Sequence, residues 1–143
     1  MSLTIQSHER EGILILAADG RITAQEAGTL RQAIDAALER QQTQIVLDLE
    51  KTDYVDSTGL GAMVISYNNL KKAGGSLRLL KLNRRNVELL ALTKLHTIFD
   101  VFSEEQDAVN SFFPGRELKH FDILKFVREQ KTEPAQETKK DTK

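Results

Sequence analysis

The sequence has 143 residues, 40% hydrophobic and 29% charged, a balance that excludes a disordered chain and fits one globular domain. Twenty basic against twenty-one acidic residues leave a net charge of −1, so no overall positive field draws nucleic acid or anionic lipid. With no cysteine there is neither a disulfide framework nor a thiolate metal site. The longest apolar run falls far short of the roughly 20 residues that cross a bilayer, and the N-terminus has no signal-peptide core, so a cytoplasmic protein without membrane insertion is expected.

Residues 3–8 alternate weakly and 12–19, "GILILAAD", form a denser apolar run. Glu11-Gly12 reads as the turn of an antiparallel hairpin. After Gly20, the residues Ala27, Leu30, Ile34, Ala37 and Leu38 fall on one helical stripe. Thr23 is the expected N-cap, with Glu26 three residues on as its capping-box partner. "QIVLDL", residues 44–49, has the continuous branched character of a strand covered on both faces.

The stretch "DYVDSTGLGAMV", Asp53 to Val64, then reads as a loop running into a helix N-cap. The helix is expected over Ser57 to Ala73 through Leu60, Met63, Val64 and Tyr67, and Gly74-Gly75 ends it. A strand over 76–82, a short helix over 85–95, a last strand over 97–102 and a helix over 103–113 capped by Ser103 follow. Strands alternating with helices imply parallel crossovers in one sheet, hence an α/β fold. Pro114-Gly115 breaks the chain. An added helix over 114–130, using Leu118, Phe121, Leu124, Lys125 and Val127, and a disordered tail over 131–143 complete the expected organisation.

The chemistry-bearing residues give little support to catalysis. His8, His96 and His120 lie in different elements without ligand-like spacing, and read as structural histidines. No phosphate-binding or nucleophile-elbow motif occurs. "DSTG" lacks the second carboxylate that an aspartic-protease dyad requires. No cofactor, no metal and no catalytic residue are expected, and the chain reads as a non-enzyme.

The junction itself carries the functional signal. Asp56, Ser57 and Thr58 can all accept hydrogen bonds from free first-turn amides, but Gly59 and Gly61 each cost up to about 1 kcal/mol relative to alanine in a helix. Glycine there allows another backbone, or another protein, to come close. A phosphate on Ser57 would sit well on the positive end of the helix. Any protein reading that surface would meet about −1.5 to −2 of new charge beside Asp56 and Asp53.

The order of hairpin, helix, "IVLDLEKTDYVDSTGLGAMV", "GGSLRLLKLN" and short helix resembles the STAS domain, and within it the bacterial anti-sigma factor antagonists. The resemblance spans about Leu3 to Phe113. It implies a STAS fold over 1–113, with a mixed, mainly parallel sheet, an N-terminal hairpin and about four helices, followed by the added helix and tail. It implies that Ser57 is phosphorylated by an anti-sigma factor of the GHKL-type serine kinase fold, that phosphorylation ends binding, and that a PP2C-type phosphatase restores it. The implied partner surface comprises Thr23, Asp53, Tyr54, Asp56, Ser57, Thr58, Gly59, Leu60 and Gly61, with both glycines keeping the helix low under the partner. Many members end the corresponding "G-x-[Leu/Ile]-Asp" in aspartate, whereas this chain reads Gly20-Arg21-Ile22-Thr23, one negative charge fewer. The alternative of similar fold is a constitutive STAS adaptor subunit of a lipid-transporting ABC system at a membrane.

Overall fold

One long strand organises the molecule. The computed structural model describes residues 3–136. In it β1 (Thr4–Arg10) turns at Glu11-Gly12 into β2 (Ile13–Ile22), the two running antiparallel. Both turn residues have positive φ, 54° and 82°, the twist that suits a two-residue hairpin. The first half of β2 pairs in parallel with β3 (Gln44–Asp48), which pairs with β5 (Ser76–Leu80), which pairs with β6 (Val101–Phe102) at the far edge.

The second half of β2 has a different neighbour. Past a register shift at Gly20/Arg21 it pairs with β4 (Thr52–Val55), a strand where the sequence suggests a loop. Four residues containing an aspartate carry too little periodic signal to read as a strand. Here Thr52 and Val55 face inward, and the Thr52 hydroxyl donates 2.7 Å to the Ala18 carbonyl.

Alternation along β2 supplies two cores. Leu14, Leu16 and Ala18 point to the face covered by α1 (Ala27–Glu39) and α2 (Ser57–Lys72), where Leu30, Ile34, Met63 and Leu70 are buried against them. Ile13 and Ile15 point the other way, into a smaller cluster with Val46, Leu80, Phe102 and, from α4 (Glu105–Asn110), Ala108 and Val109. Each such side chain larger than alanine contributes about 1.5–3 kcal/mol when fully removed from water. Helix α3 (Arg84–Leu92) and a 3-10 turn at Leu95–Thr97 connect β5 to β6, so the expected strand over 97–102 shrinks to its last two residues.

Two expected caps are replaced. Helix α1 starts at Ala27 with Glu26 as its N-cap residue, and Thr23 lies one turn outside. The Glu26 carboxylate does reach back, accepting from the Thr23 N–H at 3.2 Å and from its hydroxyl, so the hydroxyl serves as a donor and caps nothing. Helix α4 follows Glu104, which makes no side-chain cap bond, so Ser103 stands one residue too early.

Beyond Phe113 the chain wraps the β6 edge. Phe112, Phe113 and Leu118 pack against the smaller core, and the Phe121 N–H donates 2.8 Å to the Val101 carbonyl. The final helix, α5 (Ile123–Gln136), then lies against α3 and buries Ile123 in the larger core. Residues 116–122 are not helical because this passage along β6 takes up the backbone; Asp122 caps α5 by accepting from the Lys125 N–H at 3.0 Å. Helical phase therefore differs from the expected stripe, and Leu124 is 48% exposed. The expected tail over 131–143 overlaps the last turns of α5, and residues 137–143 lie outside the described residues.

Candidate functional site

The ends of β2 and β4 and the starts of α2 and α3 meet at one place. Asp56 is the N-cap of α2, in extended conformation, and its carboxylate accepts from the Gly59 N–H at 2.8 Å. Its own N–H donates 3.2 Å to the Ile22 carbonyl, and its carbonyl accepts from Leu60 at 2.8 Å. The cap is thus made by the aspartate. Ser57 is left as the first helical residue, exposed, with no hydrogen bond from its hydroxyl among the described residues.

The two glycines separate in role. A Cβ on Gly59 would overlap the Ile22 carbonyl oxygen and come within 2.8 Å of its carbon and 2.9 Å of its Cγ2. Gly59 is therefore required by the chain's own β2, correcting the expectation that it makes room for a partner. Gly61 has nothing within 4 Å of its Cβ direction and faces solvent. Leu60 is 6% exposed and belongs to the core.

The remaining expected partner residues gather around this point. Asp53 and Thr58 are exposed, while Thr23, Tyr54 and Asp56 are half-buried. The backbone of β4 is held from α3 by residues that the sequence does not mark. Asn83 Nδ2 donates to the carbonyls of Thr52 (3.3 Å) and Asp53 (3.2 Å), buried Asn86 Nδ2 to Thr52 (3.1 Å), and Arg85 Nη1 to Val55 (3.0 Å). Asn83 also caps α3 through the Asn86 N–H. Its position just after a strand is the signal that could have found it.

Tyr54 adds a cationic element. The Arg85 guanidinium lies 3.9 Å from the ring centroid and that of Arg21 lies 4.8 Å from it. Behind them, the hydrogen bonds from Thr23, with help from the charge of Arg21, hold the Glu26 carboxyl below the usual glutamate range, against the opposing effect of desolvation. The histidines are scattered as the spacing suggests: His8 meets Glu105 at 3.3 Å, His120 stacks on Phe102, and His96 lies in the 3-10 turn. Among the described residues no cluster of metal-ligating side chains occurs, and no helix is long and apolar enough to cross a membrane.

A mixed sheet with helices on both faces, presenting an exposed serine hydroxyl at a strand–helix corner, defines an α/β domain. A family model of the STAS domain matches residues 4–108, and the chain belongs to the STAS domain family. It is 30% identical over 109 residues to the anti-sigma-B factor antagonist of Bacillus subtilis, covering 76% of this chain and 99% of that one. Its fold matches the crystal structure of an anti-sigma factor antagonist from Mycobacterium paratuberculosis with a TM-score of 0.69 at 24% identity, over 76% of this chain and 92% of that one. The phosphorylated form of the Bacillus cell fate determinant SpoIIAA is also similar, with a TM-score of 0.60 at 17% identity, over 76% and 99% of the two chains. Residues after 108, including the passage along β6 and α5, lie beyond the family match.

Proposed function

We propose that this chain is an anti-sigma factor antagonist working by partner switching. Unphosphorylated, it binds an anti-sigma factor of the GHKL-type serine kinase fold; phosphorylated on Ser57, it lets go, and a PP2C-type phosphatase resets it. The observation that carries this reading is the division of labour at the α2 start. Because Asp56 makes the cap, the Ser57 hydroxyl is exposed and uncommitted, free to enter a kinase active site without unravelling the helix.

The same geometry favours release once the phosphate is on. Free amides of the first turn and the helix dipole tolerate the new charge, so the fold persists. The contact surface does not, because about −1.5 to −2 of charge appears beside Asp56 at the centre of the contact. A loss of about 3 kcal/mol there means roughly 100-fold weaker binding.

The test is to incubate the purified chain with ATP and each GHKL-type anti-sigma factor of its genome. One of them should add one phosphate, at Ser57, and Ser57→Ala should abolish the modification while keeping the binding. Thr58 is the neighbouring hydroxyl, also exposed. Phosphopeptides mapping to Thr58, or equal affinity of both forms in calorimetry, would reject the switch.

A further inference from the structure

Arg21 and Arg85 come from different elements, the end of β2 and the start of α3, yet both guanidiniums lie within 5 Å of one ring, that of Tyr54. Each of Arg10, Arg78, Arg84 and Arg116 has a carboxylate within 4.0 Å. Among the described residues Arg21 and Arg85 have none at that range; Arg31 and Arg40 also have none, but only Arg21 and Arg85 rest on a common aromatic ring. The nearby carboxylates are otherwise engaged or apart: Asp56 holds the Gly59 N–H, Glu26 holds Thr23, and Asp53 forms no ion pair among the described residues.

The π face of Tyr54 offsets only part of the charge that a counter-ion would balance, and a carboxylate reaching either guanidinium would supply the rest. The Arg85 Nη1 donates to the Val55 carbonyl and the Asn86 side chain, which fixes the guanidinium, while Nε and Nη2 donate to nothing among the described residues. The Arg21 side chain is exposed and makes no hydrogen bond among the described residues. A guanidinium already resting on an aromatic face loses less rotamer freedom when it meets a carboxylate, and its planar fork suits the two carboxylate oxygens.

We propose that Arg21 and Arg85, gathered on Tyr54 beside Ser57, form a two-guanidinium seat for a carboxylate of the partner protein, so that the partner presents an acidic surface to this corner. That the partner is the anti-sigma kinase rests on the reading above; the chemistry of the seat does not. The seat also accounts for release. Val55, held by Arg85, is two residues from Ser57, so a phosphate there repels the incoming carboxylate.

Arginine side-chain NMR tests the seat without any kinase. The Nε–Hε signals of Arg21 and Arg85 should shift on titration with a blocked Gly-Glu-Glu-Gly peptide, severalfold more than that of exposed Arg31, and hardly at all with Gly-Gln-Gln-Gly. Ser57→Ala should leave these shifts in place, and Tyr54→Leu should reduce them. Shifts no larger than those of Arg31 would overturn the proposal, and so would a preference for inorganic phosphate over the Glu peptide. With the kinase that modifies Ser57, Arg21→Glu should weaken the complex by on the order of tenfold to a hundredfold, and a Glu→Lys or Asp→Lys change on the kinase should restore it. Arg21→Glu binding as well as the parent chain would overturn the seat while leaving phosphorylation of Ser57 intact. Conversely, a seat that binds the peptide in a chain that no kinase modifies would remove the switch and keep the seat.

Discussion

The Ile22 carbonyl occupies the space that a Cβ on residue 59 would need, and it also accepts the Asp56 N–H. One backbone group therefore holds the start of α2 in two ways, by a hydrogen bond and by contact with a bare Cα. The position of Ser57 follows from that pairing.

Gly59→Ala should accordingly be destabilising by about 1–3 kcal/mol, since β2 is central and cannot retreat from the added methyl. Gly61→Ala should be neutral or stabilising by up to about 1 kcal/mol through helix propensity. Urea denaturation of the two variants side by side checks the contrast. Equal effects would mean that the Ile22 contact does not decide the glycine requirement. Gly61→Gln should keep its stability yet weaken binding to the kinase by obstruction.

Asp56→Ala removes the only side-chain cap of α2 among the described residues and should cost about 1 kcal/mol, lowering the melting temperature by several degrees. Asp56→Asn should recover most of it, since the amide oxygen can still accept from Gly59. A variant whose melting temperature matches the parent would show that Ser57 or Thr58 takes over the cap.

Asn86→Ala should cost about 1–3 kcal/mol, because a buried side chain that ties α3 to the Thr52 carbonyl is lost. Faster amide exchange should appear at Val55 and Asp56, the residues leading into the serine. Exchange that rises uniformly over the chain instead would assign Asn86 to global stability alone.

Glu26 gives a pH signature. Its folded pKa is depressed below the ordinary 4.5, first by the Thr23 side chain, so its contribution is present above the unfolded value and is lost as pH falls through the folded one. Glu26→Gln should therefore be less stable than the parent at pH 7, with the difference shrinking below about pH 4.5. Urea midpoints measured from pH 7 down to pH 3 read this directly. A constant difference would show that the carboxylate charge contributes nothing.

Truncation after Gly115 removes Leu118, Phe121, Ile123, Phe126 and Val127 from two cores and uncovers the β6 edge. Ile123→Ala alone should cost about 2–4 kcal/mol, since the side chain is 6% exposed. A truncated chain with unchanged denaturation would mark the extension as an appendage and not as part of the folded unit.

Much of this was legible in the residues. A continuous branched run marked β3, period 3.6 marked α1 and α2, and Asp56-Ser57-Thr58-Gly59 marked the strand–helix corner, because burial pattern and capping chemistry are local properties of the chain. Tertiary contact decided the rest. Whether Gly59 serves a partner or the protein's own backbone depended on how close β2 approaches, and β4 became a strand only because the far end of β2 lay open beside it. Arg21, Tyr54 and Arg85 are 33 and 31 residues apart in sequence, and Asn86 is 34 from the carbonyl it holds, so no local pattern could unite them. Sequence spacing sets which face a side chain takes within its own helix or strand; which residues of different elements meet is set by sheet pairing and helix packing, and at this corner those put Arg21 and Arg85 on the ring of Tyr54.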